Sequence, residues 1–254
     1  MTSSDWPRLS QPLSLSRHDV HVIRIPLQVE DNTLDRLKTM LSPEEVARAD
    51  RYKVPQPRRH FIVCRATLRQ LLASCLNCAA NAVQFDYGPH GKPSLRRSTA
   101  SDSPIEFSVS HSADQALIAI TLNRQIGVDI EQIDPAVRIL KLATRFFSSR
   151  EAAELTNLPE CDQLAGFYRG WTSKESYLKA TGSGLSFPLN KFSVSLNPHQ
   201  PARLFEVVDQ PAELDRWQIL ALDPAPHFAA AVLYEATSAE PTTLYLWSLS
   251  PRAD

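Results

Sequence analysis

"IGVDIEQID", residues 126–134, reads as a strand, and the segments on either side of it set the fold. Side chains alternate along a strand, so Asp129 and Glu131 share one face while Val128 and Ile130 share the other. Gly127, just ahead of them, would let another group come close to the backbone. Two carboxylates about 7 Å apart on one face repel unless a cation lies between them. An edge strand facing solvent would use such charges against aggregation. A hard-cation site would use them to hold Mg²⁺ beside a phosphate-bearing substrate.

Upstream, "PIEFSVSHS" (104–112) alternates Ile105, Phe107 and Val109 against Glu106, Ser108 and Ser110, the pattern of a half-buried strand. "QALIAITL" (115–122) is apolar almost throughout and is expected to be a buried strand hairpinned to it. "DVHVIRIPLQ" (19–28) is a further strand. "LSPEEVARADRY" carries a full helix start, with Ser42 as N-cap, Pro43 at the first helical position and Glu45 closing a capping box. A second helix is expected from about Pro57 to Leu76. One face carries Phe61, Cys64, Leu68, Leu71, Leu72 and Cys75, and the other carries Arg58, Arg65 and Arg69. "YGPHGKPSL" (87–95) is a Gly/Pro-punctuated loop holding Lys92, and residues 1–16 read as a loosely attached arm.

Downstream, "SSREAAEL" (148–155) opens a helix through a Ser148–Glu151 capping box, which accounts for Glu151 without a place in a site. In "FYRGWTSKESYLKATGSG" (167–184), Phe167, Trp171 and Leu178 form an apolar stripe that makes Trp171 a core residue. Glu175 and Lys179, at i and i+4, share a neighbouring face, as an exposed ion pair or as parts of a phosphate site. Four strand-like runs follow, "FSVSL", "ARLFEVV", "RWQILALD" and "HFAAAVLYEA", and then a last apolar piece, "LYLWSL". The chain thus divides near Asn123 into residues 1–122 and 123–254, each mixing strands with helices. The expected class is α+β, with two similar subdomains related by a pseudo-two-fold, each an antiparallel sheet with packed helices.

Composition fits an ordinary globular chain: 254 residues, 43% apolar and 22% charged. A net charge of −1 gives no support to a nucleic-acid partner. No apolar run approaches the roughly 20 residues of a membrane span. The four cysteines make no disulfide framework, and the Cys75–Cys78 pair lies in an apolar run that suits core packing. With no signal-peptide core in "MTSSDWPRLS", the chain reads as cytoplasmic.

"GVDIEQ", followed by "WTSKESYLKATGSGL", resembles the 4'-phosphopantetheinyl transferases, most closely the larger, two-subdomain Sfp type. "LSPEEVARADRY", "GKP" (91–93) and "SVSHS" (108–112) fall in the family's order, so the resemblance spans roughly residues 40–195. It implies a monomeric enzyme that moves the phosphopantetheine arm of coenzyme A onto a serine of an apo acyl or peptidyl carrier protein and releases adenosine 3',5'-bisphosphate. It implies Mg²⁺, with Mn²⁺ as a substitute, on Asp129, Glu131 and Glu175. Lys179 would contact the diphosphate, and Glu131 or Glu175 would serve as base. Lys174 is a poorer base, because neighbouring carboxylates oppose the lowered pKa it would need. Coenzyme A contacts are implied for Lys92, Ser110 and His111, for Arg48 and Arg51 at the ribose 3'-phosphate, and for Arg59 and His60. Two alternatives are a non-catalytic module binding coenzyme A or carrier proteins, and a Mg²⁺-dependent phosphoesterase. The phosphoesterase leaves GKP and SHS unexplained.

Overall fold

The computed structural model describes residues 6–96, 105–184, 187–236 and 241–251. The first half runs β1 (Asp19–Pro26), α1 (Asp31–Lys38), α2 (Pro43–Asp50), α3 (Pro55–Leu76), a small hairpin of β2 (Phe85–Tyr87) and β3 (Pro93–Leu95), and a long hairpin of β4 (Ile105–Ser112) and β5 (Gln115–Leu122). The second half repeats that order. It runs β6 (Ile126–Gln132), α4 (Ile139–Phe146), α5 (Ser149–Asn157), α6 (Glu160–Thr181), a small hairpin of β7 (Phe192–Val194) and β8 (Leu204–Val207), the short α7 (Glu213–Arg216), and a long hairpin of β9 (Trp217–Leu222) and β10 (Phe228–Glu235). In both sheets the last strand of the half lies between the other two, β1-β5-β4 and β6-β10-β9. The third helix of each half is 22 residues long. The expected α+β pair of subdomains is what the chain forms. One strand departs from the antiparallel plan: β11 (Thr243–Ser248) crosses back and pairs in parallel with β1.

Apolar faces stack these elements into four layers, helices outside and sheets inside. Val20 and Val22 of β1 and Leu117 and Ala119 of β5 meet Val128 and Ile130 of β6 and Val232 of β10 between the sheets. Ile23, Ile25, Phe107, Ile118 and Ile120 face α3, while Leu233, Ile219 and Trp217 face α6. Both capping boxes form as their sequence requires, Ser42 with Glu45 and Ser148 with Glu151.

Three expectations are corrected. β4 is not half-buried, because Ser108 and Ser110 are covered by β6. Hydroxyls there replace backbone pairing: Ser108 Oγ accepts from Val128 N at 3.1 Å, and Ser112 Oγ accepts from Gln132 N at 3.1 Å. The first satisfies an amide that would otherwise be buried without a partner. Arg69 is not on a polar face; its Nε donates to Glu45 Oε2 at 2.7 Å, and its guanidinium also reaches the carbonyls of Ala80 and Val83. The N-terminal segment is not loose from residue 6 onward. Trp6 is buried, Leu9 N donates to Ser248 O at 2.9 Å, and Leu9, Leu13 and Leu15 pack on the core.

Beneath that segment, His21 stacks on Tyr245 at 4.8 Å and accepts from Trp247 Nε1 at 3.1 Å on Nδ1. Burial lowers its pKa below 6.5, with Asp19 opposing. The folded chain therefore binds this proton less readily than the unfolded chain. The stability tied to neutral His21 is complete above pH 6.5 and is lost as pH falls from there through the lowered value. Denaturant midpoints should fall with acid, by at most about 1.4 kcal/mol per pH unit from one such group. His21→Gln should flatten that slope, and an unchanged slope would exclude His21 as its source.

Candidate active site at the junction of the halves

Three elements meet where the sheets abut: β4, β6 and α6. The contact is close because residue 127 is glycine. A Cβ there would stand 1.9 Å from the Ser176 carbonyl oxygen and 2.5 Å from Ala180 N, so α6 lies directly on the β6 backbone. Ser176 adds a hydrogen bond from its hydroxyl to Ala231 O at 2.8 Å. This packing brings the polar side of α6 over the acids of β6.

Asp129 is 3% exposed. Its Oδ1 accepts from Lys179 Nζ at 2.7 Å and from Ser110 Oγ at 2.7 Å. Lys179 also reaches Ser110 Oγ at 2.7 Å, so its ammonium bridges the two halves of the chain. Glu131 Oε2 accepts from Ser112 Oγ at 2.8 Å. Burial raises the pKa of both Glu131 and Glu175, and the charge of Asp129 raises each further. Ser112, Lys179 and Trp171 pull Glu131 the other way. Three carboxylates from two elements thus share one electrostatic site, with Lys179 as counter-charge.

A divalent cation suits this donor set. Asp129 Oδ2 is buried without a hydrogen-bond partner, and the acids offer hard oxygen donors. Among the described residues, no three His, Cys, Asp or Glu side chains are grouped closely enough to hold a metal ion as they stand. Mutual repulsion of the carboxylates and the ammonium on Asp129 Oδ1 give that arrangement its physical sense.

Beside the acids lies a cavity of about 520 Å³, lined by His90, Lys92, Phe107, Val109, Glu175 and Lys179. Lys92 Nζ donates to Ala180 O at 3.2 Å and Ile126 O at 3.4 Å, fastening the β2–β3 hairpin to the end of α6. Burial lowers its pKa. At the end of β4, desolvation and then the charges of His60 and Lys179 lower the pKa of His111. His60 is buried and lowered by that burial, with Asp114 opposing. Arg59 pairs with Asp31 at 2.5 Å and donates to Val29 O at 2.7 Å. Arg48 and Arg51 line a second cavity, about 620 Å³, together with Arg69, Arg96 and Tyr87.

The structure therefore brings Asp129, Glu131, Glu175, Lys179 and Ser110 together, with His111 and His60 close by and Lys92 on the adjoining wall. It sets Arg48 and Arg51 on a different cavity. Sequence reasoning missed two contributors. Trp171, read as core, does meet Phe146 and Phe167 but also lies near enough to Glu131 to favour its charged form. Ser112 continues the alternation of Ser108 and Ser110, and that two-residue period was the available signal. Glu151 does more than cap: its Oε2 pairs with Lys174 Nζ at 2.8 Å, both side chains being fully buried.

Comparison with known proteins identifies the family. Residues 125–232 match the family model described as the 4'-phosphopantetheinyl transferase superfamily, and residues 28–123 match that of a 4'-phosphopantetheinyl transferase N-terminal region. The chain is 39% identical over 232 residues to the 4'-phosphopantetheinyl transferase HetI of Nostoc sp., covering 91% of this chain and 94% of that one. It is 31% identical over 173 residues to the 4'-phosphopantetheinyl transferase Sfp of Bacillus subtilis, covering 68% and 73%. A third relative, psf-1 of Bacillus pumilus, is 30% identical over 196 residues, covering 77% and 80%. The chain belongs to the 4'-phosphopantetheinyl transferase superfamily, enzymes that move the phosphopantetheine arm of coenzyme A onto a serine of an apo carrier protein.

Proposed function

We propose that Asp129, Glu131 and Glu175 hold Mg²⁺, with Mn²⁺ as a substitute, beside the diphosphate of coenzyme A. The observation that carries this reading is the buried, unpartnered Asp129 Oδ2, whose carboxylate acts electrostatically on two further carboxylates. When bound, the ion neutralises charge on the diphosphate and on the leaving phosphate. Lys179, already steadied by Ser110, supplies a fixed cation to the same phosphates. The serine proton goes to Glu131 or Glu175. Lys174 has no part in that step, because its ammonium donates to Glu151 and to two carbonyls in a fully buried setting.

Lys92, Ser110, His111, His60 and Arg59 are assigned to coenzyme A, and Arg48 and Arg51, on the second cavity, to its ribose 3'-phosphate. Both halves of the site lie on one chain, which supports action as a monomer. Four free thiols suit the cytoplasm. No helix among the described residues is long and apolar enough to cross a membrane.

The carrier protein is assigned to α4. The run from Pro135 to Arg150 holds Arg138, Lys141, Arg145 and Arg150 and no acid, and Leu140 is 44% exposed among them. Phe146, on the inward side of α4, meets Trp171 edge-on, and Trp171 lies near Glu131, so α4 adjoins the acids. A basic exposed face with an apolar residue at its edge complements an acidic partner helix. Leu140→Glu should raise KM for the carrier about tenfold, with KM for coenzyme A unchanged, and equal changes in both would remove α4 from docking.

The deciding experiment is a mass spectrum of an apo carrier protein incubated with this enzyme, coenzyme A and Mg²⁺, in parallel with EDTA and with Asp129→Ala. The expected result is a gain of one phosphopantetheine group in the first reaction alone. Full modification in EDTA would refute the metal assignment.

A further inference from the structure

Lys174 directly precedes Glu175 yet serves the other side of the helix. Successive residues on a helix point about 100° apart, so Lys174 turns away from Glu175 and Lys179. Its ammonium donates to Glu151 Oε2 at 2.8 Å, Leu189 O at 2.8 Å and Phe192 O at 2.6 Å, which uses all three N–H groups. The Phe192 ring centre lies 4.1 Å from Nζ and the Phe147 ring centre 5.6 Å away. Glu151 is equally committed: its Oε2 accepts from Ser148 N at 2.8 Å, and its Oε1 accepts from Val194 N at 2.8 Å. One buried ion pair thus ties α6 to the first turn of α5, to the turn that ends the chain's return from α6, and to β7.

We infer that the Lys174–Glu151 pair is a positioning device for the transfer reaction, fixing the rotation of α6 so that Glu175 and Lys179 meet Asp129 and Glu131. The inference rests on the proposed roles of Glu175 and Lys179. The geometry gives α6 two clamps on different faces. On the sheet side, the backbone contact at Gly127 and the Ser176 hydroxyl on Ala231 O set its height. On the far side, three directional hydrogen bonds from a single ammonium resist rotation. Rotating a helix by 10–20° moves a long side chain by about 1–2 Å, and misplacement of about 1 Å is enough to lose roughly 10²-fold in rate. A packing residue at 174 would fill the same space without that directionality. Burying a charged pair where an apolar pair would serve is weak as a stability device, which fits a role in precision.

The test compares Lys174→Met/Glu151→Gln, which leaves no unpaired charge, with wild type and with Glu175→Gln. The double variant is expected to fold at a lowered melting temperature, because one acceptor of Glu151 and the donors to Leu189 O and Phe192 O are lost. Its kcat should fall about 10–100-fold, with KM for coenzyme A changed less than threefold and half-saturating Mg²⁺ raised. Mn²⁺ binding in the presence of coenzyme A, followed by electron paramagnetic resonance, should weaken in parallel. Wild-type kcat and metal binding in a folded double variant would overturn the inference, provided Glu175→Gln is crippled. Failure of the double variant to fold would overturn it too, by making the pair a requirement of the fold. If Glu175→Gln itself keeps full activity and metal binding, the underlying site assignment fails instead.

Discussion

Asp129→Asn is expected to lower the transfer rate by about 10²–10³-fold, the loss seen when one preorganised electrostatic contact to developing charge is removed. Its melting temperature should stay within a few degrees of wild type. The two outcomes have one cause. Asp129 is buried against Glu131 and Glu175 and raises the pKa of both, so its charge works against its neighbours in the resting protein. The amide keeps the shape, can accept from Ser110 and Lys179 through its oxygen, and removes the repulsion. Lys179 loses a partner but is 30% exposed and retains Ser110. Sites that hold like charges together are ordinarily kept for activity at the expense of stability. Thermal unfolding and steady-state rates on the same preparation check this; retention of more than a tenth of the rate would remove Asp129 from the site.

Gly127→Ala is expected to be the more damaging to the fold, at or above about 3 kcal/mol, the upper end of what overpacking usually costs. A new methyl group would stand 1.9 Å from a helix carbonyl, and neither backbone has a side chain that can swing aside. To reach an ordinary contact, α6 would have to retreat from β6 by more than an ångström. Activity should fall along with stability, because that helix carries Glu175 and Lys179. Gly88→Ala is the matched control: its methyl would meet only the Lys92 carbonyl, at 3.7 Å. Denaturant midpoints of the two variants should differ sharply; similar midpoints would mean that β6 and α6 can separate freely.

Much of the fold was legible because its determinants are local. Ser42 with Glu45 and Ser148 with Glu151 cap within four residues of chain, and the alternation from Val128 to Glu131 needs nothing beyond the strand itself. What escaped depended on a partner from elsewhere. Ser108 and Ser110 looked like the wet face of a strand until β6 covered them. Arg69 looked like helix surface because nothing nearby in sequence shows that Glu45, after capping its own helix, has capacity left for a guanidinium. Lys179 shares a helix face with Glu175, one turn away, but its ammonium lies on Asp129, fifty residues earlier. The core of the site was visible as a set of residue types. Trp171 was not, because an aromatic ring can be core on its faces and still act on a carboxylate with its polar edge.

The parallel pairing of β11 with β1 has a consequence for synthesis on the ribosome. β1 emerges among the first elements, yet the strand that covers its outer edge comes last, after the whole second half. Until then, nascent chains present an apolar strand with unpaired backbone groups, the template on which neighbouring chains associate. The first half can collapse early but cannot seal itself. The final strand is therefore a closure, and chains released before residue 243 would be left with the seam open.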